Sequence, residues 1–281
     1  MPAPPIDHQR WIIQIPQHTE PLPEESAAPL LHYERSVNDY YNLVIYVDRN
    51  LRRVNIRQAS ADAHLRRLNG MTLLSLIGTF ERFLKETAAA CIDHVGPCVL
   101  DDRLNVFTVK GDALAAHFQY DSLGRSLAES QVWLNCDEIN RRFQRLLADP
   151  FQVDRPQFSL FPRGDRHTTV STLFQLRHSI VHNAGILTRS DATRLRLLTR
   201  RDVPGPVVLS PRQADVWYVK LFLDEVARDI NAQVQSRLET LLTTLLQADP
   251  GLFSPPDKAR EIAELFRLQS TIDGQVAMPP S

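Results

Sequence analysis

An apolar stripe at the helical period recurs in several long segments and constrains the fold more than any other feature. In the last of these segments, Ser210-Pro211 begins a predicted helix, with Ser210 as N-cap and Pro211 in the first turn. Its stripe consists of Val216, Val219, Leu223, Val226, Ile230, Val234, Leu238, Leu241 and Leu245. Spacings of three and four residues put these side chains on one face of an α-helix.

The same period predicts further helices along the chain. One covers about 20 residues from Tyr33, and a short one covers 60–69 and ends at Gly70. Others cover Met71–Val95, Ser126–Ala148 and Thr168–Gly185. The segment VPGPVVL after the last of these predicts a turn and one short extended piece. The sequence therefore predicts an all-α fold.

Length and proline content predict three regions in the chain. Its 281 residues, 43% of them hydrophobic, suffice for one sizeable core. Residues 1–32 are rich in proline and predict an extended arm. Residues 33–248 form the predicted helical domain, and 249–281 a tail with one amphipathic helix, Lys258–Gln269.

Charge and cysteine content exclude several classes of protein. The net charge is -1, from 32 basic and 33 acidic side chains, so any binding to nucleic acid must be local. Cys91, Cys98 and Cys136 are odd in number and lack motif spacing, which favours buried thiols over disulfides or zinc. The sequence begins with no charged-then-apolar leader and has no apolar run of about 18 residues. We expect a soluble, cytoplasmic protein that does not bind membranes.

Two charged residues are predicted to lie against the core. The segment from Thr168, a plausible N-cap, to Gly185, a plausible stop, places Arg177 near the middle of its apolar face. An arginine cannot deprotonate, so in such a place it needs a carboxylate, a phosphate or a wet cleft. Glu81 flanks the stripe of Met71–Val95 and needs a partner for the same reason. The sequence predicts that Glu81 and Arg177 meet.

Two histidines follow Arg177 on the same predicted helix. His182 lies five residues on, about 140° around the helix. His178 and His182 are four residues apart, the spacing of many metal ligands. Because no acidic residue lies between them and no third ligand is evident, a zinc site is the weaker interpretation of this spacing. We expect no metal and no cofactor.

The pattern Arg177-x4-His182, with a polar residue after the Arg and Asn183 after the His, resembles the Rx4–6H motif of the HEPN superfamily. The string RHSIVHNAG is close to its form in RNase-like and defence-associated branches. The family places this motif on a late helix of an up-and-down bundle, often with an acidic residue on an early helix, as Glu81 would be. A turn or short hairpin and a long final helix follow. The resemblance, over about residues 33–248, implies such a bundle of about five main helices.

The resemblance implies a metal-independent endoribonuclease that acts as a homodimer through the motif helix, in a toxin, phage-defence or stress setting. His182 would be general base or acid at the ribose 2′-OH, and Arg177 would hold the phosphate. Glu81 would orient either of them, and the products would be a 2′,3′-cyclic phosphate and a 5′-hydroxyl. His178 would support the site or reach the cleft. Asn183 would hold the scissile phosphate or the final helical turn.

Regulation and further RNA contacts are less well defined by the sequence. The arginine-rich segment has five arginines that predict either RNA contact or a solvated loop: Arg189, Arg194, Arg196, Arg200 and Arg201. Ala184 stands where some toxin members carry a tyrosine to which an antitoxin attaches AMP, so that regulation is not implied. An antitoxin or defence-system partner of another kind remains open.

Two other interpretations compete with the ribonuclease. In a non-catalytic HEPN module that binds ligands or other proteins, Arg177 and Glu81 would be a structural ion pair. In an unrelated helical scaffold, Arg177 would lie on the outside with no carboxylate near it.

Overall fold

The computed structural model describes residues 28–54, 58–96, 101–107, 122–148, 158–252 and 257–266. Over these residues it contains eight α-helices, one 3₁₀ helix and one pair of two-residue strands. The predicted all-α class is therefore confirmed. The first 27 residues of the proposed N-terminal arm and residues 267–281 of the tail lie outside the described residues.

The elements follow one another in this order: α1 (Pro29–Arg53), α2 (Gln58–Val95), a 3₁₀ helix (Asp101–Val106), α3 (Leu123–Glu129), α4 (Cys136–Leu146), α5 (Asp165–His182), β1 (Ile186–Leu187), α6 (Arg189–Thr199), β2 (Val207–Val208), α7 (Gln213–Ala248) and α8 (Lys258–Glu264). The strands are antiparallel and flank α6 in sequence, so they are not a simple hairpin.

Helix α2 is the centre of the fold and packs against α1, α5 and α7. Tyr33 at the start of α1 contacts Phe80 and Phe83, late in α2, with ring centroids 6.3 and 5.5 Å away. Since α1 and α2 are joined by a short connection, this contact makes them antiparallel. Phe80 also meets Phe161, just before α5. The buried aromatic cluster therefore lies where the long helices meet.

Gly70 does not end a helix, contrary to the prediction from the sequence. Helix α2 continues through it for 38 residues. A glycine inside a helix costs about 1 kcal/mol relative to alanine, which flanking interactions readily offset. The Nδ2 atom of the neighbouring Asn69 donates a hydrogen bond to the carbonyl oxygen of Pro211 at 3.1 Å. Buried Leu73 and Leu76 continue the stripe on the other side of the glycine.

The predicted helix Ser126–Ala148 is two helices, α3 and α4. Asn135 starts the second, because its side chain accepts hydrogen bonds from the backbone N–H groups of Asp137 and Glu138. At the start of α3, Gly124 crosses α2 so closely that a Cβ would lie 2.1 Å from the carbonyl oxygen of Ala89. Close packing thus requires glycine at this position.

Three predicted helix starts are also wrong. Helix α1 begins at Pro29 rather than near Tyr33, so residues 29–32 belong to the domain and not to the arm. Helix α7 begins at Gln213 with Arg212 as N-cap, so Ser210-Pro211 precedes the helix. Helix α5 begins at Asp165, three residues before Thr168, and no side chain caps it.

The C-terminal segment packs on the domain. Helix α8 buries Ala259 and Ile262, and the Nδ2 atom of Asn231 in α7 donates to the carbonyl oxygen of Phe266 at 2.6 Å. The described part of the predicted Lys258–Gln269 helix ends at Glu264. Among the described residues, no helix combines the length and hydropathy that crossing a bilayer needs.

Candidate functional site

The predicted ion pair between the two long helices is present. Nη2 of Arg177 in α5 lies 3.2 Å from Oε2 of Glu81 in α2. The Arg177 side chain is 25% exposed and that of Glu81 12% exposed. The guanidinium therefore lies at the border between the core and solvent. It contacts the carboxylate of Glu81, and part of its surface is accessible.

Glu81 is shared between two cations. Its other oxygen, Oε1, lies 3.1 Å from Nζ of Lys85, one turn further along α2. One carboxylate thus faces two positive charges, Arg177 and Lys85, and this group carries a surplus positive charge. Nε of Arg177 is buried and has no hydrogen-bond partner among the described residues. Such a group attracts an anion more strongly than a neutral ion pair would.

The two histidines lie on the last two turns of α5 and point away from the core. His178 and His182 are both exposed, and their ring centroids are 4.6 Å apart. Within the described part of the chain no hydrogen bond or ion pair joins Arg177 to His182. This agrees with their spacing, which places them about 140° apart on the helix. The predicted pair of catalytic residues therefore does not converge within one chain.

Helix α5 ends at His182, earlier than the predicted stop at Gly185. The backbone N–H groups of Asn183 and Gly185 both donate to the carbonyl oxygen of Ser179, at 3.1 and 3.3 Å. Ala184 and Gly185 have positive φ values of 50° and 80°, so the chain turns sharply here. Val181, beside this turn, is 45% exposed.

Asn183 is held by a carboxylate that sequence reasoning missed. Its Nδ2 atom donates to Oδ2 of Asp191 at 3.0 Å, and Nε2 of Gln175 donates to Oδ1 at 2.9 Å. Of the two roles expected for Asn183, this contact fits the fixing of the final helical turn. Asp191 was detectable, because Thr188-x-x-Asp191 is a capping box that starts α6.

The environment of Asp191 keeps its carboxyl group ionised. The residue is buried, and burial raises the pKa of a carboxyl group. Hydrogen bonds from the hydroxyl and N–H groups of Thr188 outweigh this effect, so the pKa of Asp191 lies below its ordinary value. A stable negative charge thus anchors the turn after the two histidines.

The arginine-rich segment is a helix, α6, rather than a loop over most of its length. Arg196 is engaged locally, with Nε 3.2 Å from Oδ1 of Asp202 and Nη2 3.0 Å from the carbonyl oxygen of Val203. The remaining four are exposed and form no ion pair with another described residue: Arg189, Arg194, Arg200 and Arg201. These four are the ones available to contact a polyanion.

The cysteines agree with the prediction where they are described. Cys91 and Cys136 are buried free thiols, and Cys98 lies outside the described residues. Burial raises the pKa of Cys136 to about 11, which leaves it unreactive near neutral pH. In the described ranges, no group of three or more His, Cys, Asp or Glu side chains could hold a metal ion.

We compared the chain with protein-family models, curated protein sequences and solved structures, and none of these comparisons gave a match.

Proposed function

We propose that this protein is a HEPN-like, metal-independent endoribonuclease. The observation that carries the proposal is the arrangement on α5. A partly exposed Arg177 pairs with Glu81 of the central helix, and His182 lies exposed five residues later. The Rx4H pattern, the acidic residue on an earlier helix and the long final helix support the same assignment.

In the proposed reaction, His182 removes the proton of a ribose 2′-OH, and the 2′ oxygen attacks the adjacent phosphorus. The bond from phosphorus to the 5′ oxygen breaks, and the leaving 5′ oxygen takes a proton from protonated His182. Arg177 holds the phosphate and offsets the charge that develops on it. Glu81 orients Arg177. The products are a 2′,3′-cyclic phosphate and a 5′-hydroxyl.

The directions of Arg177 and His182 support a homodimeric site. Two copies of α5 crossing near a two-fold axis would bring Arg177 of one chain towards His182 of the other. Exposed apolar side chains lie near that end of α5. Val181 is 45% exposed, and the paired strand residues Ile186 and Val208 are 44% and 71% exposed. Burial of these side chains would help to hold two chains together.

The exposed arginines of α6 and of the two residues that follow it supply a route to RNA binding. Arg189, Arg194, Arg200 and Arg201 follow the motif helix in sequence, and α6 packs against α5. Phosphate contacts by such side chains make binding depend on salt. We also propose that the protein acts in the cytoplasm, as a toxin or in phage defence or stress. An antitoxin or defence-system protein could be its partner there.

A second candidate is a non-catalytic HEPN module that binds a ligand or another protein. One observation favours it: Glu81 already offsets the charge of Arg177. In that case the pair would only fix how α2 packs on α5.

The test is incubation of the full chain with total RNA or tRNA in EDTA, beside Arg177→Lys, His182→Ala and a control, His64→Ala. His64 is also exposed, but lies on α2. We expect cleavage by the wild type and the control, with cyclic-phosphate ends, and at least about 10²-fold slower cleavage by the other two variants. Arg177→Lys keeps a cation beside Glu81, so a lost activity would not merely reflect an unpaired carboxylate.

Thermal unfolding of each variant would separate misfolding from loss of chemistry. Cleavage that survives in both His182→Ala and Arg177→Lys would contradict the proposed mechanism. A folded dimer that cleaves none of the RNAs offered would favour the binding module.

A further inference from the structure

The two histidines at the end of α5 form a pair with the geometry of two metal ligands. His178 and His182 are one helical turn apart, and both are exposed. Their ring centroids are 4.6 Å apart and their ring planes are inclined by 46°. Neither ring has a hydrogen-bonded carboxylate partner among the described residues, in contrast to His32 and His167, which face Glu86 and Asp137.

This separation suits two ligands of one metal ion. Zinc binds histidine nitrogen at about 2.0–2.1 Å, so each ring centroid would lie about 3.2 Å from the ion. Two rings in neighbouring positions of a tetrahedral or square-planar site are then about 4.5–5.3 Å apart. The observed 4.6 Å falls in this range without movement of the helix.

The surroundings also suit a cation. The pair lies on the last two turns of α5, and the aligned backbone dipoles give this end of the helix a partial negative charge. The ionised carboxylate of Asp191 is close enough to interact electrostatically with His178. The nearest guanidinium along the helix, that of Arg177, faces Glu81.

We propose that His178 and His182 bind one divalent transition-metal ion of the zinc, nickel or copper class, and that the bound ion inhibits the protein. The inhibition rests on the proposed ribonuclease function. The ion would occupy the nitrogen lone pair with which His182 takes the proton of the 2′-OH. Water completes the coordination, since within the described residues no third His, Cys, Asp or Glu joins the pair. The site is therefore open and reversible, unlike a closed structural zinc site.

The binding test needs no RNA. Titration calorimetry with NiCl₂ and with ZnCl₂ would use the full chain without a polyhistidine tag, as wild type, His178→Ala, His182→Ala and His64→Ala. Loss of an outer-shell partner weakens metal binding about 10–100-fold, so loss of a direct ligand should weaken it at least about tenfold. We expect this in the first two variants and unchanged affinity in His64→Ala. Equal affinity in all four proteins, or no binding by the wild type, would overturn the site.

The inhibition test compares cleavage with and without the metal, each protein against its own metal-free rate. We expect Zn²⁺ to inhibit the wild type and His64→Ala, EDTA to reverse this, and His178→Ala to need at least about tenfold more Zn²⁺. If Zn²⁺ inhibited His178→Ala at the same concentration as the wild type, inhibition through this histidine pair would be contradicted. If the wild type binds the ion through both histidines but cleaves no RNA, the result supports the metal site. It contradicts both the proposed ribonuclease function and the inhibitory role that depends on it.

Discussion

Two clusters of charged residues in the described part of the chain, one where α1 meets α7 and one where α2 meets α5, differ in how far solvent reaches them. In the first cluster, Nζ of Lys220 lies 2.5 Å from Oδ2 of Asp224, one turn further along α7, and the two side chains are 4% and 11% exposed. Between α2 and α5, Arg177 and Lys85 share Glu81, and the two cations are 25% and 28% exposed. We call these the closed cluster and the open cluster.

The closed cluster has its own internal partners. The hydroxyl group of Tyr33 donates to Oδ1 of Asp224 at 3.3 Å, so both carboxylate oxygens are satisfied. Burial and the Asp224 carboxylate raise the pKa of Tyr33 well above its ordinary value, which keeps this donor protonated. Charges enclosed in this way can serve the fold but cannot meet a ligand.

The open cluster has a surplus positive charge and an accessible edge. Glu81 offsets only one of its two cations, and the helix that carries Arg177 also carries His182. Enclosure, rather than the presence of a buried charge, therefore separates a structural ion pair from a candidate site.

The largest expected effect is on the rate of RNA cleavage and comes from His182, on the same helix as Arg177 of the open cluster. Loss of a general base typically lowers a rate by about 10²–10⁴-fold, so His182→Ala should lower RNA cleavage by that factor. Because His182 is exposed, the thermal unfolding midpoint should stay close to that of the wild type. The measurement is the initial rate of cleavage of a fluorescent RNA in EDTA. A rate within roughly twofold of that of the wild type would contradict the role of His182 as general base.

The next effect concerns stability and the closed cluster. Lys220→Met leaves a buried Asp224 carboxylate without its cation and should destabilise the fold by about 3–5 kcal/mol. The matched change in the open cluster, Lys85→Met, removes a partly exposed i, i+4 pair worth about 0.3–0.5 kcal/mol. Urea unfolding measures both variants. Equal losses would remove the distinction between the two clusters.

A smaller effect separates the catalytic from the structural interpretation of Glu81. Glu81→Gln keeps the shape of the side chain but removes its charge, and should cost about 1–2 kcal/mol of stability. If Glu81 orients Arg177 for catalysis, kcat should fall at least about tenfold, with KM less affected. Full activity together with the loss of stability would leave Glu81 a purely structural partner.

The smallest effect concerns the turn behind the histidines. Asp191→Asn should destabilise the protein by about 1 kcal/mol at neutral pH, because it removes the charge from a buried hydrogen-bond acceptor. The folded-state pKa of Asp191 is lowered, so its contribution is complete above its unfolded pKa and is lost as pH falls through the folded value. Urea unfolding of both proteins between about pH 7 and pH 3 should show the difference shrinking on acidification. A difference that grows on acidification would contradict this assignment.

The sequence located the parts of the candidate site that depend on local pattern. The helical period placed Arg177 against the core, and a buried guanidinium needs a partner, so the sequence predicted its contact with Glu81. In the structure, Nη2 of Arg177 lies 3.2 Å from Oε2 of Glu81. Asp191 was missed because its role combines a local capping box with hydrogen bonds from α5. The break inside Ser126–Ala148 was missed because a continuous apolar pattern hid the cap at Asn135.

The all-α class, the long apolar stripes and the need of two charged residues for each other can be read from the order of the amino acids. These follow from the helical period and from the cost of burying a charge, which act on each segment separately. Three features emerge only in the folded protein: α2 continues through Gly70, α3 needs Gly124 to cross Ala89, and one charged cluster is closed whereas the other is open. Those outcomes depend on how helices pack against each other, which no local pattern specifies.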